Sequence, residues 1–166
     1  MNDNTFSHLD DDGRARMVDI GNKEITQRKA RAEAVVRLGD RIARLIRDTG
    51  GVSKGNVLET ARVAGIMAAK RTAELIPMCH SLGVDCVDID LGLLGDTLLV
   101  TAEVRCQGRT GVEMEAMTAV AVASLTVYDM CKSAGKGIVI ESIRLLEKTG
   151  GKSGDWRADY NPETGG

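Results

Sequence analysis

Hydrophobic and polar positions change their period several times along the chain, and each change marks an element. Ala30, Ala32, Ala34, Val36 and Leu38 alternate with mostly charged neighbours. That period of two predicts a strand over residues 29–38, although alanine and arginine favour helix. Ile42, Leu45 and Ile46 then recur at helical spacing, and Gly50-Gly51 stops a helix over residues 40–48. A longer helix is expected from Asn56 to about Leu75, capped by Ser53 or Asn56 and closed by Pro77. Val87, Ile89, Leu91 and Leu93 next alternate with Asp88 and Asp90, a half-buried strand. Gly95-Asp96 offers a two-residue turn with glycine first, and Leu98, Val100, Ala102, Val104 and Cys106 face one way on the return strand. Thr110 followed by Glu113 reads as a capping box for a helix reaching about Ser133, where Gly135 and Gly137 end it. A last strand is expected from Ile138 to about Leu146.

The predicted order is strand, helix pair, strand, strand, helix, strand. This is an α+β fold, the ferredoxin-like split βαβ with a doubled first helix: an antiparallel sheet with helices on one face. The other face stays open unless a second subunit covers it. Residues 1–15 and 156–166 are expected to be flexible tails around a single catalytic domain over residues 16–155.

Composition sharpens the picture. Of 166 residues 43% are hydrophobic, yet only 2% are aromatic. Phe6, Trp156 and Tyr160 lie near the termini, which leaves Tyr128 as the one aromatic in the body of the chain. An aromatic buries about 150–250 Å², so the core must be aliphatic and alanine-rich, thin for a monomer, and an oligomer is expected. Base-stacking nucleic-acid modules need aromatic platforms and are excluded. The balance of 22 basic against 24 acidic residues gives a net charge of −2 and no field to draw nucleic acid or a membrane surface. The basic run over residues 28–47 and the acidic Asp10–Asp12 read as solvated surface. Cys79, Cys86, Cys106 and Cys131 contain no C-x-x-C pair, and the polar start shows no leader. Reduced thiols, no metal site and a cytoplasmic location are therefore expected.

Four places can carry chemistry. Gly50-Gly51-Val52-Ser53-Lys54-Gly55 feeds a helix start, which suits a phosphate. Gly150-Gly151-Lys152-Ser153-Gly154 looks like the end of a phosphate loop, but Leu146 stands where that motif needs its first glycine, and 12 residues after Gly154 are too few for a triphosphatase. It can still bring Lys148 and Lys152 to an anion. Asp129 and Lys132 share a helix face after thirteen uncharged residues, Ala116–Tyr128. On a helix expected to be mostly buried, a partly buried lysine held by a carboxylate can serve as an acid or base, or the two can simply pair. Pro77-Met78-Cys79-His80 ends one helix, and Glu113-Met114-Glu115 opens another. Cys79 beside His80 lacks a third orienting group for a thiol nucleophile.

These segments, taken together and in order, carry a resemblance. Met17-Val18-Asp19, Arg28 with Ala30-Arg31-Ala32-Glu33-Ala34, Lys54-Gly55, and Thr60 to Gly65 come first. Ala68 to Thr72, Leu75 to His80 and Thr110 to Ala116 follow, then Tyr128 to Lys132 and Lys148 to Asp155. Over about 140 residues the chain resembles the cyclic pyranopterin monophosphate synthase family of molybdenum cofactor biosynthesis. The resemblance implies a homohexamer, a trimer of dimers, with sites at subunit interfaces. It implies a lyase that turns (8S)-3′,8-cyclo-7,8-dihydroguanosine 5′-triphosphate into cyclic pyranopterin monophosphate and diphosphate. Asp129, Lys132 and Lys54 match catalytic positions. Met78, Cys79, His80, Glu113, Met114, Glu115, Arg28, Lys148 and Lys152 match substrate-binding positions. No cofactor is implied, with a divalent metal on the triphosphate left as an open alternative. Ser81 departs from the proline usual in bacterial relatives, without loss of a chemical group. The residue types suit the reaction: lysines for the leaving phosphates, the Asp129–Lys132 pair for repeated proton transfers, and glutamates to accept N–H donors from a guanine-like edge. The rival is a non-catalytic nucleotide-binding or regulatory module on the same fold.

Overall fold

The computed structural model describes residue 12, residues 14–52 and residues 55–159, without the side chains of residues 51 and 52. Strand β1 (Thr26–Arg37) alternates as its pattern predicts: Ala30, Ala32, Ala34 and Val36 are fully buried, while charged neighbours face outward. Period outweighs composition here, because the small side chains fill the space beneath the helices. Helix α1 (Asp40–Thr49) ends at Gly50, whose left-handed φ of 68° lets its N–H reach the Ile46 carbonyl at 2.8 Å. Two-residue strands β2 (Gly51–Val52) and β3 (Gly55–Asn56) pair with each other and lead into helix α2 (Val57–Lys70). Asn56 is the N-cap, its side chain accepting the Glu59 N–H at 3.1 Å; Ser53, the other expected cap, lies outside the described residues.

The long second helix is broken. It stops at Arg71, and a single turn, α3 (Thr72–Leu75), follows. The buried Thr72 hydroxyl donates to the carbonyls of Ala68 (3.2 Å) and Ala69 (3.0 Å), a local bond that competes with the helix ladder. Strands β4 (Cys86–Leu94) and β5 (Thr97–Gly108) form the expected hairpin about Gly95, at φ 61°. Helix α4 (Glu113–Cys131) follows, then β6 (Val139–Thr149) and β7 (Trp156–Arg157).

All pairings in the five-stranded sheet are antiparallel, in the order β4-β5-β1-β6-β7. Without β7, this is the ferredoxin-like order that the alternation implied. Trp156 and Arg157 pair with Lys148 and Glu147, so β7 is an unforeseen fifth strand and brings one aromatic to the sheet. The sheet has two distinct ends. At the upper end Thr26 meets Gly108, and Lys29 meets Thr149; at the lower end Arg37 lies between Thr97 and Val139. Helix α4 starts just after β5 leaves the upper end and finishes before β6 begins at the lower end. That placement governs the candidate site.

Helices α2 and α4 cover one sheet face, and their crossing explains the scarcity of aromatics. A Cβ added to Gly65 of α2 would come within 2.9 Å of the Ala119 carbonyl and 3.3 Å of the Ala123 Cβ of α4. Ala61, Ala116, Ala119 and Ala123 are fully buried around it. Small residues let the backbones approach closely, and rings would hold them apart. The opposite face carries a chain of ion pairs across four strands. Arg105 meets Glu103 (3.6 Å), Glu103 meets Lys29 (3.4 Å), Lys29 meets Glu147 (3.1 Å), and Glu147 meets Arg157 (2.8 Å). The bond to Glu147, chiefly, holds the Lys29 ammonium above its ordinary pKa. Among the described residues no helix is long and apolar enough to cross a membrane.

Candidate active site

At the upper end a cleft of about 940 Å³ opens between the start of β1, the 109–113 turn and the glycine-rich turn after β6. Its volume is that of a nucleotide-sized site. Six cationic side chains line it: Lys23, Arg28, Lys29, Arg109, Lys148 and Lys152, against the carboxylates of Glu24 and Glu113. Such a wall of donors suits a ligand made mainly of anionic acceptors. Arg109 donates from Nε to the Lys23 carbonyl at 3.1 Å, fastening the segment before β1 to the cleft wall. Lys148 reaches the Ser153 hydroxyl across the turn.

A second cleft of about 380 Å³ shares Lys23, Thr110, Gly111 and Glu113 with the first, so the two adjoin across a common wall. It is lined by Met78, Cys79, His80, Met114 and Glu115. The expected capping box does not form. Val112 is the N-cap, Thr110 lies two residues outside, and Glu113 becomes the first helical residue. The Glu113 carboxylate folds back over Gly111, where a Cβ would collide with it. It is therefore turned to the wall common to both clefts. Glu115 is only 4% exposed. Desolvation first, then the nearby Glu113 charge, push its carboxyl above the ordinary range. Desolvation and the Glu115 charge likewise push the Cys79 thiol up, which favours the thiol over a thiolate nucleophile. His80 Nε2 lies 2.7 Å from the Val18 carbonyl. That partner can only accept, so Nε2 carries the proton and the other ring nitrogen faces away from this bond.

Asp129 and Lys132 are not there. They pair at 2.6 Å, as the spacing predicts, but at the far end of α4. Helix α4 rises about 21 Å between Glu115 and Asp129 at roughly 1.5 Å per residue. The pair is also exposed, with side-chain accessibilities of 50% for Lys132 and 59% for Asp129, rather than part-buried. The hydrogen bond to Asp129 and its charge hold the Lys132 ammonium above its ordinary pKa, so in the single chain it stays protonated. Nine of the twelve expected residues thus gather at the upper end and two sit at the lower end. The twelfth, Lys54, lies outside the described residues.

The family model for the MoaC family matches residues 17–151 of this chain. The chain belongs to the MoaC family. Both clefts and the Asp129–Lys132 pair fall within the matched region, apart from Lys152 and Ser153 at its edge. A relative from Peptoclostridium acidaminophilum, named cyclic pyranopterin monophosphate synthase, is 50% identical over 154 residues, covering 93% of this chain and 98% of its own. One of the same name from Streptomyces coelicolor is 55% identical over 151 residues, covering 91% and 88%. Another from Bordetella avium is 55% identical over 157 residues, covering 93% and 96%. Lys23, Arg109 and Lys29, the last read only as part of a solvated basic run, are cleft cations that the motifs of this MoaC-family chain did not single out. Lys23 stands a few residues beyond the quoted Met17-Val18-Asp19 motif, and Arg109 directly precedes Thr110-Gly111. A check of cations flanking each motif would have flagged both.

Proposed function

We propose that this protein is a cyclic pyranopterin monophosphate synthase of molybdenum cofactor biosynthesis. The observation that carries the reading is identity of 50% and above, over nine-tenths of the chain, to proteins of that name. In finer terms the enzyme is a lyase acting on (8S)-3′,8-cyclo-7,8-dihydroguanosine 5′-triphosphate. The bond between the α- and β-phosphates breaks, the α-phosphate stays on the pterin product as its cyclic monophosphate, and diphosphate leaves. The cationic cleft suits the triphosphate, since lysines and arginines offset the charge that develops on the departing diphosphate. The adjoining cleft, with Met78, Cys79, His80, Met114 and Glu115, suits the ring system: thioether and thiol surfaces lie against its faces, and carboxyl groups meet its N–H edge.

Lys132, oriented by Asp129, supplies protons as the purine-derived ring opens and recloses. Its distance from the clefts within one chain supports a pair supplied by a second copy, and on this reading the working site lies between subunits. Exposed Val63 and Met67 on α2 and Leu125 on α4, one turn before Asp129, give the helix face apolar contacts for such assembly into a hexamer built from dimers. Lys54 completes the catalytic set, no resident cofactor is required, and the enzyme works in the cytoplasm. Supplying the cyclic triphosphate and measuring pterin product and diphosphate tests the reading. Lys132→Ala is expected to lower kcat by about 10²–10⁴-fold. Wild-type turnover in that variant removes Lys132 from the mechanism, and a wild-type protein that returns the triphosphate unchanged is a binding module.

A further inference from the structure

The glycine-rich turn that brings Lys148 and Lys152 to the cleft is a closed hairpin. Its feet are the β6–β7 pairs Glu147 with Arg157 and Lys148 with Trp156. Within it Gly154 N–H donates to the Gly151 carbonyl at 3.1 Å, and Gly150 N–H donates to Asp155 Oδ1 at 3.2 Å. Gly150 and Gly151 both lie in the left-handed region, at φ 91° and 81°. The space beside them is filled as well. A Cβ on Gly150 would collide with the Gln27 carbonyl, and one on Gly151 would overlap Nη1 of Arg28. The bend of the turn therefore rests directly on the Arg28 guanidinium. Arg28 is itself fixed from the other side, its Nε donating to the Gly108 carbonyl at 3.1 Å.

We infer that Arg28 is a positioning residue: held by Gly108 and abutted at Nη1 by Gly151, its guanidinium sets the turn that aims Lys148 and Lys152 at the cleft. The inference rests on the reading of that cleft as a polyphosphate site, and it changes the role expected for Arg28 from contact with the substrate to support of residues that make it. Gly151 abuts Nη1, and Nε is engaged by the Gly108 carbonyl, so a bidentate contact through that edge is blocked. A guanidinium is suited to this task because its rigid fork lets Nε bond a carbonyl while the Nη1 edge packs against backbone. Lysine can supply the charge but not the fork.

Trp156, the one tryptophan in the chain, follows the turn on β7 and is 46% exposed, so its emission reports the turn without any ligand. The experiment uses the full chain and inorganic diphosphate as probe, with Arg28→Ala, Arg28→Lys, Lys152→Ala and the Arg28→Ala/Lys152→Ala double variant. In the ligand-free protein, both Arg28 variants are expected to shift Trp156 emission and speed amide exchange at Gly150 and Gly154, while Lys152→Ala changes neither. Diphosphate affinity is expected to fall about tenfold or more in each single variant, since a misplaced group loses most of its effect. The double variant should bind no more weakly than Arg28→Ala alone, because Lys152 is already misdirected. Unchanged ligand-free signals with additive affinity losses would overturn the inference and make Arg28 a ligand contact. Should Arg28→Ala fail to fold, Gly151→Ala carries the same test, as it displaces the guanidinium without removing its charge. A wild-type chain that does not bind diphosphate sinks the polyphosphate reading, while the emission and exchange comparison still decides the role of Arg28.

Discussion

Glu115 shows how much one side chain's setting alters its chemistry. Alone in the sequence it is an acid that a helix N-terminus would favour as a carboxylate. In the fold it is 4% exposed and lies within reach of the Glu113 charge, and both effects favour the neutral form. The folded chain thus holds this proton more tightly than the unfolded chain does. Its stabilising share is whole below the ordinary carboxylate range and fades as the pH rises through that range to the elevated folded value. Glutamine keeps the shape without the ionisation. Glu115→Gln is therefore expected to raise Tm at neutral pH, with the difference shrinking towards zero in acid; a difference that does not vary with pH would contradict the account. The Asp129–Lys132 contact was legible from its spacing, but its exposure was not. Thirteen uncharged residues before it suggested burial, whereas Asp129 and Lys132 take the outward side of the helix end while Met130 and Cys131 between them are buried.

At the scale of elements, alternation was a better guide than composition. Strand β1 is rich in alanine and arginine, yet its period of two matches the buried and exposed faces position by position. What the pattern could not supply was competition among backbone groups. The Thr72 hydroxyl takes helix carbonyls and splits the long helix, and Val112 rather than Thr110 starts α4. Strand β7 is two residues long, below the length at which a period can be read. The alanine-rich composition did predict an unusual core, and the crossing of α2 and α4 at Gly65 gives it a form. Gly65→Ala, which would raise helix propensity in isolation, forces a Cβ to 2.9 Å from the Ala119 carbonyl. It is expected to destabilise the protein by about 1–3 kcal/mol through overpacking. Denaturant titration measures this, and a gain in stability would mean the helices can move apart freely.

For the whole molecule the decisive fact is the separation of the two groups of site residues. In the proposed function the motifs, taken in order along the chain, group these residues chemically. Only the topology shows that α4 carries one group to the upper end of the sheet and the other to the lower end. On the proposed reading two copies share the site, which also gives the thin aliphatic core and the exposed Val63, Met67 and Leu125 a common explanation. On this account the free chain does not contain a complete site, and sedimentation is expected to show an oligomer with no active monomer. The most direct test mixes two inactive proteins, Lys132→Ala and Lys148→Ala, by co-expression or joint refolding and assays turnover of the cyclic triphosphate. A site shared between subunits predicts recovery at about a quarter of the sites, those that draw an intact residue from each kind of subunit. No recovery in mixed oligomers, with each parent inactive alone, would contradict it.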